Sequence, residues 1–120
     1  MVSLGNYWGN TALDFMLNGR TTWVGLHVSS PGSTGTPSTE VSGASYERVI
    51  CNFTTPSSKT SLNDNVLEWD NMPTAKITYA GVWDAEFGGN IIAYGPLAGT
   101  ANVFYGQQFV IPAGDLAISI

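Results

Sequence analysis

The sequence predicts a mainly β protein: an antiparallel β-sandwich or barrel-like sheet of six to seven strands with one N-terminal α-helix, in a single domain spanning residues 1–120. Three observations predict it. Apolar and polar residues alternate in several short stretches, turns rich in Gly, Ser, Thr, Asn and Pro separate those stretches, and a helical period is confined to the first eighteen residues. A chain of 120 residues buries roughly 65% of the surface it exposes when unfolded, enough for one core without disulfide or metal staples.

The elements follow in order. Over residues 4–18, Leu4, Trp8, Ala12, Phe15 and Met16 recur at spacings of three and four, giving a helix whose apolar stripe is expected to cover the domain's own sheet; the other use of such a stripe is docking onto a partner. Gly19 is expected to end the helix in left-handed geometry. Residues 23–29 alternate as a strand, with Val24, Leu26 and Val28 on the core face and Trp23, Gly25, His27 and Ser29 on the other. Residues 30–39 hold almost nothing apolar and read as an exposed loop. Residues 46–53 carry apolar groups on both faces, which predicts a central strand. Residues 54–65 read as a polar loop, 66–69 as a short strand, and Met72-Pro73 as a break. Residues 76–84 and 90–97 flank a glycine-bearing turn and form the clearest hairpin. Residues 99–102 read as a turn, 103–111 as a strand region, 112–115 as a tight turn and 116–120 as a closing strand tucked into the sheet.

Composition narrows the function. Hydrophobic residues make up 43% of the chain but charged ones only 11%, against about 25% in ordinary soluble domains. So little charge leaves weak repulsion between copies and suits a protein that lives in contact with others. The net charge is −5, and the four basic residues, Arg20, Arg48, Lys59 and Lys76, are scattered. Binding to nucleic acid or to an anionic membrane surface depends on clustered Lys and Arg, so neither partner is expected. No run of about 18 apolar residues and no basic-flanked apolar N-terminal stretch occurs, so neither a membrane span nor a Sec signal is expected. The lone Cys51 cannot close an internal disulfide, which points to synthesis in a cytoplasm.

The residues offer little chemistry. His27 is the only histidine, and a strand histidine is ordinarily a surface or partly packed side chain. Cys51 lies beside Val49 and Phe53 on an inward face, where a thiol behaves as a small hydrophobe. Two Cys and His residues in total cannot supply four zinc ligands. Asn63, Asp64, Asn65, Glu68, Asp70 and Asn71 crowd oxygens together, but the calcium-loop spacing is absent and such residues populate turns for their own reasons. Nothing selects one pair among the nine acids for glycoside hydrolysis, Gly88-Gly89 lacks the helix and lysine of a phosphate loop, and Asn52-Phe53-Thr54 matches a glycosylation acceptor inside a strand. The four tryptophans suit a core or an interface better than a sugar-stacking platform. No catalytic, cofactor-binding or metal residue is therefore expected, and the chain reads as a non-enzyme.

Several segments together form a recognisable pattern: the N-terminal helix, the run Trp23-Val24-Gly25-Leu26-His27-Val28-Ser29-Ser30-Pro31-Gly32-Ser33-Thr34-Gly35, then Glu40-Val41-Ser42-Gly43-Ala44-Ser45-Tyr46-Glu47-Arg48, Gly81-Val82-Trp83-Asp84-Ala85 with Gly88-Gly89-Asn90, and Pro112-Ala113-Gly114-Asp115-Leu116. The pattern resembles a family of small virion proteins of tailed bacteriophages, often labelled tail-fibre or minor structural proteins, and covers nearly the whole chain. Glu47 departs from it, standing where a small residue often precedes the arginine.

The resemblance implies a β-rich virion component without an active site, assembled in multiple copies. A compact domain without fibre-shaft repeats or heptads favours a capsid decoration, or cement, protein bridging capsomers; the alternatives are a tail-fibre or minor tail or baseplate component, or a carbohydrate-binding adhesin. Its expected partners are the major capsid protein or other virion proteins and copies of itself, a homotrimer presenting three adhesive faces at once. The expected contact residues are Tyr7 and Trp8 on the helix and Pro31, Gly32, Thr36 and Pro37 in the loop at 30–39, which shows no core role by sequence.

Overall fold

A computed structural model describes residues 2–120. It contains one helix, α1 (Asn6–Asn18), and eight strands: β1 (Thr22–His27), β2 (Val49–Cys51), β3 (Thr60–Leu62), β4 (Leu67–Trp69), β5 (Ala75–Trp83), β6 (Ile91–Val103), β7 (Phe109–Ile111) and β8 (Ala117–Ser119). Every pairing is antiparallel. The main sheet runs β2-β1-β5-β6, and two ribbons, β3-β8 and β4-β7, complete a sandwich-like fold. One core joins all three: Leu13 and Leu17 of α1, Val24 and Leu26 of β1, Leu67 and Trp69 of β4, Val82 of β5 and Ile111 of β7 are all buried in it.

The hairpin expected around residues 85–89 is the backbone of the fold. Register runs from Trp83↔Ile91 to Ala75↔Val103, with irregularities between Ile77 and Tyr79 and between Val82 and Trp83. Strand β6 continues straight through residues 99–102, where a turn was expected. Its 13 residues, at about 3.4 Å each, are long enough to run the full 44 Å of the molecule.

Four further expectations are corrected. Strand β2 is an edge of the main sheet, not central, with Ile50 exposed. The segment at 54–65 is a tight hairpin: Ser57 and Thr60 exchange both backbone hydrogen bonds, and Ser58 and Lys59 take φ of 51° and 61°. Those values suit a two-residue turn whose twist matches the strands, and they add β3 to the strand count. Gly19 ends α1 in right-handed geometry, φ −79°; its missing side chain matters because a Cβ would stand 2.5 Å from the Phe15 carbonyl oxygen.

The fourth correction concerns the loop at 30–39. It folds back through hydrogen bonds from the Thr36 amide to the Pro31 carbonyl and from the Val28 amide to the Thr39 carbonyl, and includes a 3-10 turn over Pro37–Thr39. Pro31 and Gly35 are buried, and a Cβ on Gly35 would come within 2.6 Å of the Trp83 ring. The loop thus covers the outer face of the main sheet, so β1 is buried on both faces and His27 lies at 0% exposure.

Candidate assembly interface

The polar groups beneath that cover are committed to structure. Arg48 is buried, its guanidinium carbon 3.9 Å from the centre of the Trp83 ring. Its Nε and Nη2 donate to the two Glu40 oxygens at 2.9 Å each, and Nη1 donates to the carbonyls of Ala85 and Gly88 at 2.9 and 2.8 Å. Tyr46 donates its hydroxyl to Glu40 Oε2 at 2.6 Å and accepts the Leu26 amide at 2.9 Å. Burial, reinforced by that bond to Glu40, raises the Tyr46 pKa far above the ordinary phenol range, so the hydroxyl stays a donor. All of this stands over Gly25, where a Cβ would meet Glu40 Oε2 at 2.6 Å.

His27 and Cys51 are shut away likewise. Thr39 donates to the Thr36 carbonyl, so its oxygen accepts from His27 Nδ1, 2.9 Å away. That fixes the tautomer and leaves His27 Nε2 a bare acceptor without a partner among the described residues, as Trp83 Nε1 is a donor without one there. Burial lowers the His27 pKa and pushes the Cys51 thiol up to about 12. In the Asx-rich segment, Asn63 spends all its side-chain capacity on protein: Nδ2 donates to the carbonyls of Asn65 and Pro112, and Oδ1 accepts the amides of Gly114 and Leu116. Asn65 Oδ1 accepts the Asn52 amide. These oxygens tie strand ends together.

Unpartnered apolar surface lies elsewhere. Helix α1 packs inward through Gly9, Leu13 and Leu17, not through the stripe the sequence suggested. Gly9 is required there because Lys59 crosses the helix at that point, 2.5 Å from where a Cβ would sit. The Lys59 amide donates to Asn10 Oδ1 and its ammonium to the Leu4 carbonyl. The expected core stripe is therefore split: Ala12 and Met16 are half-buried, whereas Leu4, Trp8 and Phe15 face solvent with Tyr7. Tyr7 is 73% exposed, Trp8 and Phe15 67% each, and the Tyr7 and Trp8 rings meet edge to face at 5.2 Å.

The other expected contacts divide. Thr36 and Pro37 are exposed and Gly32 is half-exposed, but Pro31 is buried in its own domain and is withdrawn from that set. The structure does not bring helix and loop residues together: α1 rests on the turn at 57–60 and on Ile120, whereas the loop rests on Trp83 and Ile91. Trp69 is buried in the core, Trp83 is buried beneath the loop and Trp23 is half-buried, leaving Trp8 as the exposed tryptophan.

A second apolar surface had no sequence signal. Strands β6, β7 and β8 each have one unpaired edge, and together they border a groove of about 740 Å³. Its walls include Ala93, Leu97, Ala101, Phe109 and Leu116, with Asp115 the one charged residue among them. Small side chains on a long edge strand leave this side of the sandwich partly unfilled.

The family model of Podophage GP4 fiber I protein gp80 matches residues 3–119, practically the whole chain. The chain belongs to this family. It is therefore a bacteriophage virion structural protein, as the resemblance implied, and the fibre in the family's description fits the tail-fibre alternative better than the capsid decoration first expected. No curated protein matches the chain.

Proposed function

We propose that this chain is a structural building unit of a phage fibre, joined to copies of itself and to neighbouring virion proteins by adhesion and performing no catalysis. The carrying observation is the aromatic stripe Tyr7, Trp8 and Phe15, three large rings held in solvent on a helix whose opposite face already closes the core. A protein of such low charge has little else to keep those rings wet. Rigid aromatic side chains also lose little freedom on contact, which makes them effective anchors. Gly32, Thr36 and Pro37, on a loop pinned by its own hydrogen bonds, form a second, independent contact patch.

Fibre membership supports this over capsid decoration. The test is reconstruction of the intact particle with the chain labelled. Density for the chain in a fibre, at a copy number far below that of the major capsid protein, is the expected result. Density spread over the capsid lattice in near-equal numbers would return the chain to the cement reading.

A further inference from the structure

We infer that the groove bordered by β6, β7 and β8 receives the aromatic stripe of α1 from a second copy of this chain. The inference rests on the fibre reading and specifies how copies join. The groove suits an apolar occupant, since the side chains of its walls are apolar apart from Tyr94 and the Asp115 carboxylate. The stripe needs an apolar acceptor. Each copy thus carries one donor and one acceptor surface in different places, the arrangement that generates rings or open filaments rather than isologous dimers.

Charge sets the pairing. Arg48 is bound to Glu40, the Lys59 ammonium to the Leu4 carbonyl, and Lys76 is exposed on β5 opposite Asn102, on a different element from the stripe. Arg20 is exposed and stacks on the Phe15 ring, its guanidinium carbon 5.1 Å from the ring centre, so a cation sits at the end of the stripe. Asp115 is exposed at the groove. Seating the stripe brings that cation to the groove's lone acid, and in a chain of net charge −5 such a match sets orientation. A strand is a poorer occupant. Pro96, between Gly95 and Leu97 in the middle of β6, interrupts its row of backbone donors, and Gly95 and Gly99 weaken it further. The groove takes side chains better than backbone.

The experiment is sedimentation of the purified chain with Arg20→Asp, Asp115→Arg, the two combined, and Trp8→Ala. All three positions are exposed, so unfolding midpoints should stay at the wild-type value. Wild type should self-associate below about 100 μM, Trp8→Ala should weaken association about thirtyfold, and each charge reversal about tenfold. The combined variant should recover to within about threefold of wild type. Mixing the two single reversals should restore association in strictly alternating copies, because each contact then pairs opposite charges, whereas either variant alone stays weak. A monomeric wild type, unaffected reversals, or a combined variant without recovery overturns the inference. Particle density separates this from the fibre reading: α1 remote from a neighbour's groove within a fibre sinks the interface alone, whereas absence from fibres sinks the function.

Discussion

Arg48 and Glu40 meet as a two-bond fork, Nε to Oε2 and Nη2 to Oε1, both at 2.9 Å and both largely out of water. The same guanidinium reaches the carbonyls of Ala85 and Gly88, so one side chain ties the segment before β2 to the turn of the β5–β6 hairpin. Removing it leaves the Glu40 carboxylate with only the Tyr46 hydroxyl of this cluster as a donor and strands two carbonyls. Arg48→Ala should cost about 3–5 kcal/mol, and Arg48→Lys most of that, because an ammonium cannot reproduce the fork. Urea unfolding midpoints of the two variants against wild type measure it; a loss under about 1 kcal/mol for Arg48→Ala would refute the clamp.

His27 gives the fold a pH dependence of definite sign. Burial holds its folded pKa below the ordinary 6.5, with Glu40 opposing and Arg48 adding to the effect. The unfolded chain then binds the proton first. The stability this group contributes is complete above pH 6.5 and is lost as pH falls from there to the folded value, at up to about 1.4 kcal/mol per pH unit. Unfolding free energies measured between pH 7.5 and about 5 should show this slope in wild type, and His27→Asn should flatten it.

Four places show how much of this was legible in the residues. The hairpin of β5 and β6 was, because alternation in 76–84 is strict and Gly88 and Gly89 supply positive φ, 60° and 76°. Strand β3 was not, because its turn puts Ser58 and Lys59, neither of them the Gly, Asn or Asp that marks such a turn, in the left-handed region. The helix face was ambiguous: Leu4, Trp8 and Phe15 compete with Gly9, Leu13 and Leu17 at the same period. The docked face is the one with a glycine, since Lys59 has to pass, and that requirement lies 50 residues away in sequence. The groove is a product of three separate strand edges and has no local signal at all.

Asn63 makes a sharper test of long-range pairing. Its amide accepts the Gly114 and Leu116 N–H groups and donates to the Pro112 carbonyl of the same turn and to the nearby Asn65 carbonyl. Asn63→Asp keeps the acceptors but turns a carboxylate toward the Asn65 and Pro112 carbonyls. It should lose about 3 kcal/mol at pH 7 and regain part of this in acid, when the carboxyl can donate once. Thermal unfolding at pH 7 and pH 4 checks it; equal losses at both would show that charge is not the cause.

The loop at 30–39 offers a matched pair. Gly32 and Gly35 both have φ of 70°, but a Cβ on Gly32 meets nothing within 4 Å, whereas one on Gly35 strikes Trp83 at 2.6 Å and Ile91 at 3.2 Å. Gly32→Ala should carry only the backbone cost of about 1–2 kcal/mol. Gly35→Ala should add overpacking of about 1–3 kcal/mol. Equal midpoints for the two variants would mean that the loop does not bear on Trp83.

Trp8 and Leu13 lie on one helix but do opposite work. Leu13 is 1% exposed in the core, and Leu13→Ala should cost about 2–5 kcal/mol in the isolated chain. Trp8 touches Tyr7 and is otherwise largely in solvent, so Trp8→Ala should change the unfolding midpoint by less than about 0.5 kcal/mol. The larger side chain therefore matters less to folding, which is the mark of a residue kept outside for contact. Destabilisation by Trp8→Ala comparable to that of Leu13→Ala, measured on dilute monomer, would put the aromatic stripe back into the core and remove the ground for adhesion through α1.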